Sequence, residues 1–186
     1  WTDDRNAPRR IDLSKTIGYY NDLTDETKVS VVKYSPFKAP SITLEAYDSN
    51  ISNNYIEEKF VRFSYRYKFD DGTYSQLAPF SPIAFRLENN ELTADQVKEA
   101  YEQGILSSFV NNVNKVTVDA ALPSNPINLH GIEQVEFLMK DANSSAVRII
   151  KKINVTSNDA TKITHVYKSE IPVSTLAEKE LLRVSE

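Results

Sequence analysis

FVRFSYRYKFDDGTYS, residues 60–75, interleaves aromatic and basic side chains densely enough to pose two readings: a surface that stacks on bases and holds phosphates, or a strand of a core. Successive side chains of an extended strand point to opposite faces, so residues two apart share one. Val61, Phe63, Tyr65, Tyr67 and Phe69 therefore line one face, and Arg62, Ser64, Arg66 and Lys68 the other. A base-stacking platform needs rings and cations on the same exposed surface. Strict alternation sends them to opposite sides, which is the pattern of a half-buried strand. Burying each ring contributes roughly 1.5–3 kcal/mol, and the core reading follows. Asp71-Gly72 tolerates positive φ and Tyr74 restarts an extended segment, so a hairpin turn is expected near position 71.

Outward from that strand the chain reads as short strands between turns. VSVVKY (29–34) is a strand candidate, and SPFKAP behind it, with Pro36 and Pro40, breaks the backbone as a connection. SITLEAYD (41–48) alternates Ile42, Leu44 and Ala46 against polar positions. PFSPIAF, with Pro79 and Pro82, belongs near a sheet edge. NKVTVDAAL (114–122) alternates Val116 and Val118 with Lys115, Thr117 and Asp119. IEQVEFLMK (132–140) places Val135, Phe137 and Met139 on one side. AVRIIKKINV (146–155) follows a polar turn, and KITHVYK (162–168) is one more possible strand. TADQVKEAYEQG carries the one helix signal: Thr93 and Gln96 form a capping box, and Gly104 offers a stop. The pattern predicts a mainly β fold, a sandwich with one inserted short helix.

Composition narrows the class. The 186 residues accommodate one good-sized domain with flanking pieces. Ten Tyr and eight Phe favour sheet packing. A net charge of −4, with both signs mixed along the chain, disfavours a generic nucleic-acid or acidic-membrane binder. The absence of cysteine rules out disulfides and thiolate metal sites. No apolar run reaches bilayer-spanning length, and the opening WTDDRNAPRR has no signal-peptide character. It reads as a segment of something longer.

Residues able to do chemistry are few. The only histidines, His130 in NLHGI and His165 in a strand pattern, lie in separate segments and read as solvated or hydrogen-bonded structural residues. The sequence holds no glycine-rich phosphate loop and no nucleophile elbow. The acid pairs Asp3-Asp4, Glu57-Glu58 and Asp70-Asp71 invite comparison with a metal or glycosidase site, yet each sits among turn or charged residues and reads as a solvated loop. Asn143-Ser144-Ser145 and Asn154-Val155-Thr156 fit the glycosylation pattern, which carries weight only in a secreted protein. The expectation is no catalytic, cofactor-binding or metal-binding residue, and no enzyme.

WTDDRNAPRRI, RFSYRYKFDDGTYSQLAPFSPIAF, IEQVEFLMKDANSSAVRIIKKI and YKSEIPVSTLAEKELLRV, in that order across nearly the whole chain, resemble parts of large virion proteins of tailed bacteriophages. The likeness is to the tail nozzle or muzzle proteins of short-tailed phages of Bacteroidetes, crAss-like phages included, which combine propeller-like and fibronectin type III-like β domains. That resemblance implies three parts: residues 1–38 closing a preceding propeller-like domain with its linker, residues 39–155 forming a fibronectin type III/immunoglobulin-like sandwich, and residues 156–186 leading into a following domain. The helix over Thr93–Gln103 is an insertion that a minimal sandwich lacks. The implied function is that of a non-enzymatic structural module of the virion tail, assembled in the host cytoplasm. Its partners would be other tail proteins and copies of itself in a ring, with neither specific nucleic-acid nor membrane binding. The alternative is a carbohydrate- or receptor-binding sandwich on a phage fibre or bacterial surface, using the loops Tyr47–Tyr55 and Ser124–His130 on a host glycan.

Overall fold

The computed structural model describes residues 8, 9, 11, 29–57, 59–86 and 111–177. The helix expected over Thr93–Gln103, nearly all of the opening segment and the leucines Leu181 and Leu182 lie outside the described residues. Seven strands order the rest: β1 (Ser41–Leu44), β2 (Val61–Phe69), β3 (Val116–Ala121), β4 (Ile132–Asp141), β5 (Val147–Asn154), β6 (Lys162–Tyr167) and β7 (Ser174–Thr175). They form two antiparallel sheets, β1-β3-β6 and β2-β4-β5-β7, and no helix occurs among the described residues. Only β4 and β5 follow one another within a sheet; at every other step between strands the chain changes sheets. β6 and β7 lie beyond Val155, so the two-sheet body runs from residue 41 to 175.

The alternation in β2 is the reason the sheets meet. Phe63, Tyr65, Tyr67 and Phe69 share one buried cluster with Val135, Phe137 and Met139 of β4, and with Val116, Val118, Ala120 and Tyr167 from the other sheet. Phe63 and Tyr167 touch across the gap, ring centroids 5.5 Å apart and edge on, the offset geometry that ring quadrupoles favour. Tyr65 and Tyr67 keep polar ends in this setting because each hydroxyl donates to a carbonyl, of Lys38 at 3.0 Å and Ala121 at 2.6 Å. The Asp71-Gly72 turn forms where expected: Gly72 has φ 77°, and Phe69 N–H donates to Thr73 O at 2.9 Å.

Beyond the turn, residues 75–84 run beside β2 with three residues to every two of the strand. The N–H groups of Ser75, Ala78, Ser81 and Ala84 donate to the carbonyls of Tyr67, Tyr65, Phe63 and Val61. Pro79 and Pro82 occupy positions that donate nothing to this ladder, which is why prolines are tolerated at the sheet edge. The hydroxyls of Ser75 and Ser81 accept from Tyr67 N–H and Phe63 N–H, replacing carbonyls that the irregular spacing withdraws.

Two expectations are corrected. The second face of β2 is not solvated throughout: Arg62 is exposed, but Ser64 and Arg66 are buried at 0% and 3% exposure. A second small core, Leu138, Val147, Ile149 and Leu176 with Leu77 and Phe80 against it, covers part of that face. VSVVKY does not form a strand either; Ser30 makes a single bridge to Arg9, and Val31 and Val32 are exposed. The adjoining Val31 and Val32 break the alternation, so no single face gathers its apolar residues.

Candidate functional site

The polar constellation with the most structure is a row across the outer face of the four-stranded sheet. Register places Arg66 of β2 opposite Glu136 of β4, and Glu136 opposite Lys152 of β5. Arg66 Nε lies 2.7 Å from Glu136 Oε2, and Lys152 Nζ lies 2.7 Å from Oε1. The Tyr74 ring, brought back beside Lys68 by the hairpin, stacks 4.0 Å from the Arg66 guanidinium carbon. Glu136 is fully buried, so its charge depends on these two cations. One row further along, Gln134 donates to Asn154 at 2.7 Å. These contacts tie three strands together: the acid is ion-paired on both oxygens, with a hydrogen bond from Arg66 at Oε2 and none at Oε1. The sequence holds a faint signal for them in a lone glutamate between Val135 and Phe137.

The two histidines are not brought together. His130 packs against Tyr34, centroids 4.8 Å apart, which in turn stacks on Tyr67 at 6.2 Å. His165, read from the sequence as a solvated or hydrogen-bonded structural residue, is buried: it faces the core opposite Val118, 5.5 Å from the Phe137 ring, with no hydrogen bond at Nε2. Burial holds its pKa below the ordinary imidazole value, and Lys151 acts in the same direction against Glu170. Burial also raises the phenols of Tyr65, Tyr67 and Tyr167, the last to about 12. Such groups stay protonated and serve as donors.

The acid pairs have structural roles where they are described. Asp71 pairs with Lys33 and accepts from Thr73 N–H and Oγ1, holding the β2 turn. Asp70 N–H donates to Gly131 O at 2.8 Å, joining that turn to the loop before β4. Asp3-Asp4 and Glu58 lie outside the described residues, and Glu57 is exposed. Asn143 is exposed in the β4–β5 turn and Asn154 at the end of β5. No group of three or more metal-ligating side chains occurs among the described residues. A cleft of about 60 Å³ between Tyr34, Phe37, Lys38, Tyr65, Tyr67 and Leu122 falls well short of the roughly 300 Å³ at which small-molecule pockets begin.

The two candidate binding loops lie at opposite ends of the body. Tyr47–Tyr55 joins the end of β1 to the start of β2, where Tyr55 N–H donates to Ser169 Oγ just past β6. Buried asparagines fix this end: Asn114 bonds Asp48 N–H and O, while Asn111 bonds Ile56 O and Ala84 O. Ser124–His130 joins the end of β3 to the start of β4, wound so that Leu129 N–H reaches Asn125 O and Gly131 N–H reaches Ile127 O. Tyr47 and Tyr55 are half exposed, at 50% and 44%. Neither loop completes the other. No protein-family model matches this sequence, nor does any curated protein or solved structure.

Proposed function

We propose that this chain is a non-enzymatic structural module of a bacteriophage tail protein, built on a fibronectin type III/immunoglobulin-like sandwich and acting through domain and subunit interfaces. Three and four strands around a shared core match the seven of that architecture. Beyond those seven, the irregular run 73–84 flanks β2, so that β4, β2 and this run lie in the order that C, F and G take in such a sandwich. The chain reaches that pair early, between β1 and β3, so the succession is permuted relative to the usual one. The observation that carries the functional reading is apolar exposure in the segments before β1 and between β6 and β7. Val32 and Phe37 before β1, and Ile171 and Val173 after β6, stand 67–70% exposed, as residues meeting a neighbouring domain or subunit do.

Quantitative mass spectrometry of purified phage particles tests this reading, with peptides of the chain expected in the particle at a fixed ratio to other tail proteins. Their absence from particles would end it. The alternative, a glycan- or receptor-binding module, rests on exposed Tyr47 and Tyr55, and glycan-array binding lost on replacing both tyrosines would favour it.

A further inference from the structure

We infer that copies of this chain join edge to edge, β6 of one beside β1 of the next, so that the three-stranded sheet continues from copy to copy. The inference deepens the assembly reading and rests on it. Sheet edges are templates for further pairing, and proteins ordinarily cover them or blunt them. In the four-stranded sheet residues 75–84 run along the whole of β2, and β7 covers the first part of β5. The three-stranded sheet has no such cover among the described residues.

The register identifies the groups left over. Leu122 N–H donates to Thr161 O, so by antiparallel alternation the backbone groups of Ile163, His165 and Tyr167 face β3. Those of Lys162, Thr164 and Val166 face outward, without a backbone partner among the described residues. Glu45 N–H donates to Lys115 O, so Ser41 and Thr43 face β3, while the backbone groups of Ile42 and Leu44 face outward on the other side. β6 has no proline and no bulge, and Ile163, Thr164, Val166 and Tyr167 are strand formers.

Direction and charge select the occupant. β1 and β6 each run antiparallel to β3 and are therefore parallel to each other. A head-to-tail rotation about an axis along the strands brings β1 of a second copy parallel to β6, a heterologous contact of the kind that closes rings. In that orientation Glu45, directly after β1, comes to the same end as Lys168, directly after β6. In the register centred on His165, two-fold pairing of β6 with itself would instead set Lys162, which already pairs with Asp119, against Lys168, a like-charge cost. The second copy's β1 is thus the better partner.

The chain has no cysteine, so oxidative cross-linking reads the contact cleanly. Thr43 and Thr164 both lie on the exposed outer face. A mixture of T43C and T164C variants should cross-link to dimers, and neither variant alone should. T164P removes an outward N–H and no internal ladder bond; it should weaken association seen by light scattering roughly tenfold, while T164V leaves it unchanged. Cross-linking of T164C alone would overturn the head-to-tail contact in favour of two-fold pairing. Equal association of T164P and wild type would overturn the edge contact while leaving assembly through another surface. A wild-type chain that stays monomeric at millimolar concentration, with no cross-link in the mixture, would also overturn it, and particle mass spectrometry would then judge the functional reading separately.

Discussion

Arg66 and Glu136 face each other across β2 and β4, Nε 2.7 Å from Oε2, with both side chains withdrawn from water and Lys152 closing the row. Such a pair adds little to stability when compared with a well-packed apolar replacement, yet losing one member strands the other. Glu136→Ala should therefore destabilise the fold by about 3–5 kcal/mol, and Arg66→Glu by at least as much, since it sets two buried acids side by side. The double variant Arg66→Met/Glu136→Leu should recover most of the loss. Urea unfolding of the singles and the double checks this, and strictly additive losses would contradict it.

His165 makes stability depend on pH. Its folded-state pKa lies below the unfolded value of about 6.5, so the unfolded chain binds the proton more readily. The stability associated with a neutral imidazole is then present above about pH 6.5 and declines as pH falls toward the folded value. Phe137 from β4, Val118 from β3, Lys151 from β5 and Glu170 beyond β6 surround the ring. His165→Leu should flatten the fall in melting temperature between pH 7 and 5, and a slope unchanged from wild type would show that other groups dominate.

The tyrosines of β2 separate packing from polar satisfaction. Tyr67→Phe keeps the ring but removes the donor to Ala121 O, and should cost about 1–2 kcal/mol. Tyr65→Asp places a carboxylate where the side chain is 1% exposed, and should abolish cooperative folding because an unpaired buried charge is not tolerated. Circular dichroism melts of the two variants distinguish these outcomes.

Nucleic-acid binding offers a further check on the same strand. The rings are inside and Arg66 is matched by Glu136, which leaves Arg62 and Lys68 as the outward cations of β2. Binding to single-stranded DNA should be weak, indifferent to sequence and lost at moderate salt. Fluorescence anisotropy showing tight binding at physiological ionic strength would contradict this.

Much of the architecture is legible in periodicity. Val116 and Val118 in β3, the alternation of Val61 to Phe69 in β2, and Val135, Phe137 and Met139 in β4 each mark a core face, and the structure buries all of them. What periodicity misreads is the second face of a central strand. Arg66 looks solvated because its alternation partners are polar, whereas in the fold Tyr74 returns over it and Glu136 lies opposite. These are contacts between segments far apart in the chain. Of the two readings for His165, the solvated one fails for a related reason: register with Val118 fixes it inward. The acid pair Asp70-Asp71 is legible as a turn, because an Asx contact to Thr73 is local.

Cryo-electron microscopy of intact phage particles tests the central proposal most directly. The two-sheet body, residues 41–175, should dock into density repeated around the tail axis, with the segments holding Phe37 and Ile171 covered by neighbouring domains or copies. A tail reconstruction at side-chain resolution that contains no such repeated body would contradict it.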